Sequence, residues 1–157
     1  MLKHIVKSSI LKLSCLLLFI PFLANKIIVN DDILLRKANL CVQNFKCIEL
    51  EVASAPESRR NGLMERPYIF KDSGMLFLFD YPAHVSFWMY KVHFPLDIIF
   101  IREGKIVDIK SNFMPCIEMP CNVYSSKEKV DSALEILAGQ AEILNLSVGN
   151  KLKINFN

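Results

Sequence analysis

Two acids and two arginines carry the polar chemistry open to this chain. Asp97 stands between Pro95-Leu96 and the apolar run Ile98-Ile99-Phe100-Ile101. A carboxylate beside so much apolar surface needs partners. Arg59 and Arg66, seven residues apart, are the candidates, since one helix face can present both. Two readings follow: an ion pair that locks a helix to a sheet, or a charged pocket group. The clamp takes precedence, because paired charges commonly serve structure. Glu135 could join Asp97 as an acid/base couple in a hydrolase or carbohydrate-modifying enzyme, or simply satisfy an arginine.

Met64, Met75, Trp88 and Met89 form a soft apolar set beside these charges. Ordinary core is the first reading. A groove for a small molecule or peptide is the sharper one, since Met adapts its contacts and Trp offers a rigid face with one donor. Nucleophile signatures are missing: there is no G-x-S-x-G. His84 and Ser86 share one face of a strand, a pairing common by chance.

Cys41, Cys47, Cys116 and Cys121 remain once the N-terminal segment is set aside. An even count in an exported domain reads as disulfides. The expected pairs are 41–47, which lie symmetrically about Asn44 in a hairpin, and 116–121, in the loop P-C-I-E-M-P-C. Each closes a short loop, worth roughly 2 kcal/mol. Zinc ranks below this, because His84 and His93 are not at ligand spacing. No C-x-x-C redox motif is present. No metal or cofactor is expected.

The elements that must position these groups are mostly strands. Ile48, Leu50 and Val52 alternate with Glu49 and Glu51, with Leu40 and Val42 as the hairpin partner. Ser54 and Glu57 form a capping box that opens a short helix over 55–64. Further strands fall at 75–79, 85–90, 96–101, 105–109 and 130–137, with a closing strand around Leu152, Ile154 and Phe156. Residues 111–129 read as loop and 139–146 as a short helix. Seven or eight short strands with no long helix between them predict an antiparallel, mainly β sandwich or partly closed barrel, not βαβ units.

At the N-terminus, Lys3, Lys7 and Lys12 precede an apolar run from Leu13 to Ala24, too short to span a bilayer comfortably. This predicts a signal peptide cleaved after Ala24, or else a signal anchor. Phe22, third residue back from that cleavage point, is large for its position, and Cys15 lies too early in the run for a lipidated cysteine. Residues 25–38 read as linker and 39–157 as one domain. The expected location is periplasmic or extracellular, with membrane contact only through the N-terminal segment. Residues 25–157 hold 16 Lys plus Arg against 16 Asp plus Glu, so the basic surplus belongs to the N-terminus. A neutral domain lacks the charge to neutralise phosphates, which sets nucleic acid aside as a partner.

The chain also carries an ordered set of short motifs: R-x-x-G-L-M-x-R at 59–66, G-M-L-F-L-F at 74–79, F-W-M at 87–89, P-L-D at 95–97, P-C-x-x-x-P-C, A-L-E-x-x-A-G and V-G-N-K-L. In this order they resemble the domain-of-unknown-function 192 family, over about residues 47–155. The resemblance implies a compact jelly-roll or barrel-like β domain, often exported, in bacteria and archaea. It implies no agreed enzyme activity. It also raises the groove reading, because both helix and strand carry motifs there. One departure is Tyr90-Lys91-Val92, where relatives carry a Lys-Asn-Thr-like stretch. The expectation is a non-catalytic binding module, with Arg59, Met64, Arg66, Met75, Trp88, Met89 and Asp97 around the site.

Overall fold

The computed structural model describes residues 35–42 and 47–157. The expected signal peptide or anchor at 1–24, most of the expected linker at 25–38, and residues 43–46 lie outside the described residues. Nine strands and two short helices follow in the order β1 (Arg36–Cys41), β2 (Cys47–Ala53), α1 (Pro56–Asn61), β3 (Ser73–Ala83), β4 (Ser86–Trp88), β5 (Leu96–Arg102), β6 (Lys105–Phe113), β7 (Val123–Ser125), β8 (Val130–Leu137), α2 (Gln140–Ile143) and β9 (Ile154–Phe156). β1 therefore begins inside the segment expected to be linker. The stretch expected to be loop at 111–129 holds the end of β6 and all of β7.

Seven strands form one mixed sheet in the order β6-β5-β8-β3-β2-β1-β9, and β4 pairs with β7 in a separate two-stranded sheet. The fold is mainly β as expected, but neither wholly antiparallel nor a closed barrel. β2 and β3 run parallel, from Glu49 opposite Ser73 to Ala53 opposite Phe77. Parallel neighbours need a long crossover, and residues 54–72 supply it with α1 inside. A single helical turn and a half suffices for the βαβ connection that the absence of long helices argued against. The far edges of the sheet approach each other: Ile106 N–H donates to Asn150 C=O (2.9 Å) and Leu152 N–H to Gly104 C=O (2.8 Å), just before β9.

Strand alternation gives the sheet two buried faces. One gathers Leu40, Leu50, Leu76, Ile99, Ile101, Leu134 and Ile136, with Ala141 and Leu144 of α2. The other gathers Met75, Phe77, Ile98, Phe100 and Ala133, with Leu63, Met89 and Val92 from the segments beyond α1 and β4. The unbroken apolar run of β5 follows from this, since both its faces are covered. Disulfides join Cys41 to Cys47 and Cys116 to Cys121, as the spacing predicts.

β3 and β8 meet unusually closely at Gly74. A Cβ there would sit 2.5 Å from the Glu135 carbonyl oxygen and 2.8 Å from Ile136 Cγ2. Backbone cannot give way as a flexible side chain can, so Gly74→Ala is expected to destabilise the fold by about 1–3 kcal/mol, the usual range for overpacking. A denaturant titration of the variant checks this.

Candidate functional site

Helix α1 starts one residue later than its capping-box pattern suggests. Ala55 is the N-cap, and Ser58 closes the turn: its Oγ accepts from Ala55 N–H (3.1 Å) and donates to Ala55 C=O (3.0 Å). Ser54 instead offers its carbonyl to Arg59 Nη1. The helix ends at Gly62, whose φ of 47° and ψ of −128° suit glycine alone. This turn drops Leu63 into the core and sets Met64 beside it. Across from α1 stands β4, held by β7 through Phe87 opposite Tyr124 and Trp88 opposite Val123.

Between these walls lies a pocket of about 360 Å³. Pro56, Arg60, Asn61, Ser86 and Trp88 are exposed around it, whereas Leu63, Phe77, Val92 and Glu135 are buried and close it off. Met64, Phe79, Val85 and Phe87 complete the sides. Phe87 packs edge-on against Phe77 (5.1 Å between centroids) and Phe100 (5.9 Å), which fixes the wall. Trp88 is 42 % exposed and leans on Tyr90 at 5.5 Å.

Glu135 is the unusual member. It projects from β8 between Met75 of β3 and Ile98 of β5, and is only 5 % exposed. Its backbone belongs to the sheet, but no hydrogen bond or ion pair links its carboxyl to another of the described residues. Buried polar side chains nearly always have a partner, so this is an exception to be explained. Burial, uncompensated by any neighbouring charge, pushes its carboxyl up to about 8.

Asp97 behaves in the opposite way. It is 1 % exposed, and both oxygens are engaged by backbone: Oδ1 accepts from Asn112 N–H (2.9 Å) and Oδ2 from Ala141 N–H (3.0 Å). Asn112 has a left-handed φ of 58° at the end of β6, and Ala141 lies in the first turn of α2. A free helix-start amide thus gains an anionic acceptor. Arg59 and Arg66 are not its partners, contrary to expectation. Arg59 donates to the carbonyls of Ser54 and Leu78 (2.9 Å to the latter) and approaches Asp80 at 3.4 Å. Arg66 grips Glu51 with two bonds of 2.7 Å, and that bond holds the Glu51 carboxyl below its usual range. The arginine clamps are real, but they tie α1 and its exit to β2 and β3.

The Asp97–Glu135 couple does not form. Asp97 pairs with Ile136 and Glu135 with Ile98, one residue out of step. Asp97 bonds to α2, which packs on the face of Ile99 and Leu134; Glu135 lies with the opposite face, beside Met75 and Ala133. Of the residues expected around the groove, Arg59, Met64 and Trp88 line the pocket. Met75 and Met89 are buried core, while Arg66 and Asp97 lie outside the lining. Ser86 shares a hydrogen bond with Ser125 (2.8 Å), so it forms no pair with His84. The residues that spacing did not single out, Phe77, Phe87 and Arg60, come together only through the crossover and the β4–β7 pair.

Tyr90-Lys91-Val92 forms a junction. Lys91 has a left-handed φ of 58°, accepts from Glu65 N–H (2.8 Å), donates its own N–H to Cys116 C=O (3.1 Å) and pairs with the Glu65 carboxylate at 2.6 Å. Only Val92 of the three lines the pocket. Among the described residues, no three His, Cys, Asp or Glu side chains gather as a metal site.

The described residues thus form a mainly β sheet with one parallel crossover and a pocket over its second face. The chain belongs to the DUF192 family, described as "Uncharacterized ACR", whose model matches residues 39–154. It resembles a solved Sinorhizobium meliloti 1021 protein described provisionally as a transcription regulator, with 33 % identity and a TM-score of 0.66 over 75 % of this chain and 92 % of that one. A Novosphingobium aromaticivorans DSM 12444 protein of unknown function is 27 % identical with the same TM-score of 0.66, over 74 % of this chain and 83 % of that one. No curated protein matches.

Two outcomes follow from the two buried acids. Asp97→Asn places an amide donor where backbone donors already point, and is expected to cost about 2 kcal/mol or more, read as a lowered Tm. Glu135 acts oppositely. Its carboxyl ionises near 4.5 when unfolded and near 8 when folded. Between those values the folded state keeps a proton that the unfolded state has lost, so stability falls as pH rises. Glu135→Gln removes that loss: its Tm should match the parent near pH 4 and exceed it at pH 8.

Proposed function

We propose that this chain is a non-catalytic binding module whose ligand enters the pocket between α1 and β4. The observation that carries this reading is Glu135, a buried side chain whose carboxyl has no partner among the described residues, at the closed end of a preformed pocket. A lone group of this kind costs stability, and such cost concentrates where a site must be kept ready. The aromatic and aliphatic walls supply apolar contact, with few polar groups to orient the ligand, as small-molecule sites do. The volume is at the small end of that range, favouring a small molecule over a peptide. Catalysis has weaker support, because the second carboxylate it would use is held by two backbone amides on the other side of the sheet.

The same proposal places the domain outside the cytoplasm. Two short-range disulfides suit an oxidising compartment, and the basic and apolar N-terminus suits export, with or without cleavage. The regulator description attached to the Sinorhizobium protein is not carried over as DNA binding. Balanced charge in residues 25–157 gives no surplus for phosphate contacts.

Trp88 is the sole tryptophan and stands at the pocket mouth, so its fluorescence reports occupancy. A screen of small metabolites is expected to give at least one saturable change in Trp88 emission, with the ligand recovered unchanged by mass spectrometry. A flat response across the screen would overturn the binding reading, and a chemically altered ligand would overturn the non-catalytic one.

A further inference from the structure

We infer that the pocket takes a cationic amine on a small apolar or aromatic body, with the ligand's ammonium group paired to Glu135. This rests on the binding reading above and names the ligand's chemistry. Once ionised, Glu135 offers only acceptor oxygens, so an occupant that satisfies that form must bring hydrogen-bond donors. A bare ionised carboxylate in an apolar recess is costly, and an opposite charge with donors is what offsets that cost. The walls agree: Phe77 and Phe87 are buried or half-buried beside Glu135, and aromatic faces attract cations as well as apolar bodies.

The other charged groups do not compete for Glu135. From α1, Arg59 and Arg60 line the pocket. Arg59 is occupied by the carbonyls of Ser54 and Leu78 and by Asp80. Arg60 is exposed, where solvent and salt screen it. β3 and β5 face Glu135 with Met75 and Ile98, and β4 contributes Ser86, Phe87 and Trp88 to the pocket, none of them ionisable at neutral pH. Pairing therefore requires Glu135 to give up its proton to solvent, and one proton should leave for each amine bound below pH 8.

The test compares 2-phenylethylamine, 2-phenylethanol and phenylacetate, which share a ring and differ in the polar end. Trp88 fluorescence should show saturable binding of the amine, tightening about tenfold from pH 6 to pH 7, as expected for linkage to one proton well below the group's midpoint. Titration calorimetry in buffers of different ionisation enthalpy should show close to one proton released. The alcohol should bind more weakly and without a pH slope. Glu135→Gln, which preserves shape, should lose the amine's slope and at least tenfold of its affinity while still binding the alcohol. Equal binding of alcohol and amine, or tighter binding of phenylacetate towards low pH, would overturn the amine assignment and leave the pocket reading intact. Silence from all three probes would also overturn it. The pocket reading falls only if the wider metabolite screen is silent too.

Discussion

One carboxylate holds three elements of this domain together. Asp97 accepts one backbone amide from the end of β6 and another from the start of α2. It thereby fixes the helix that closes the first core over Ile99 and Leu134. The adjacent ladder position, one residue along and on the other face, belongs to Glu135. The period-two geometry of a strand separates the two acids completely. One is spent on the fold, and the fold then holds the other at the closed end of a pocket with no partner among the described residues. Position relative to backbone donors, rather than residue type, decides which acid is structural.

The family motifs become intelligible as geometry. Gly74 opens G-M-L-F because β8 backbone lies where a side chain would be. Gly62 in R-x-x-G-L-M makes the turn that sends Leu63 inward, and Arg59 and Arg66 bracket that turn with clamps to β3 and β2. In V-G-N-K-L, Gly149 has a φ of 96° and Asn150 Oδ1 accepts from Ser147 N–H at 2.8 Å, turning the chain back towards β6. Most of the motif set thus specifies chain reversals and close contacts. Tyr90-Lys91-Val92 lies at the junction of the α1 exit with the disulfide loop, touching the pocket through Val92 alone.

Much of this was legible in the residues, and the failures have a common cause. Alternation exposed β2, and apolar runs marked the strands that became β3 and β5. Local cysteine spacing was enough for both disulfides. β7 was hidden because three residues, Val123–Ser125, become a strand only by pairing with β4. The parallel β2–β3 pair was hidden because α1 is too short to announce a crossover. Asp97 was assigned arginine partners because charges can be read from a sequence, whereas a backbone amide 44 positions away cannot. Glu135 was named as an acid of interest, but its isolation depends on the side chains of β3 and β5 around it.

The placement of β9 bears on how the polypeptide matures. Its residues 154–156 lie along β1, so the first described strand of the domain finds its outer neighbour only in the last one. Contacts of such wide sequence separation form late, after the loop-closure entropy has been met. Synthesis proceeds from the N-terminus, so β1 waits with an open edge until residues 154–156 arrive. An unpaired edge is a template for other chains. A nascent chain halted before Ile154 would therefore present its β1 edge to its neighbours, so the arrival of β9 decides whether that edge is covered.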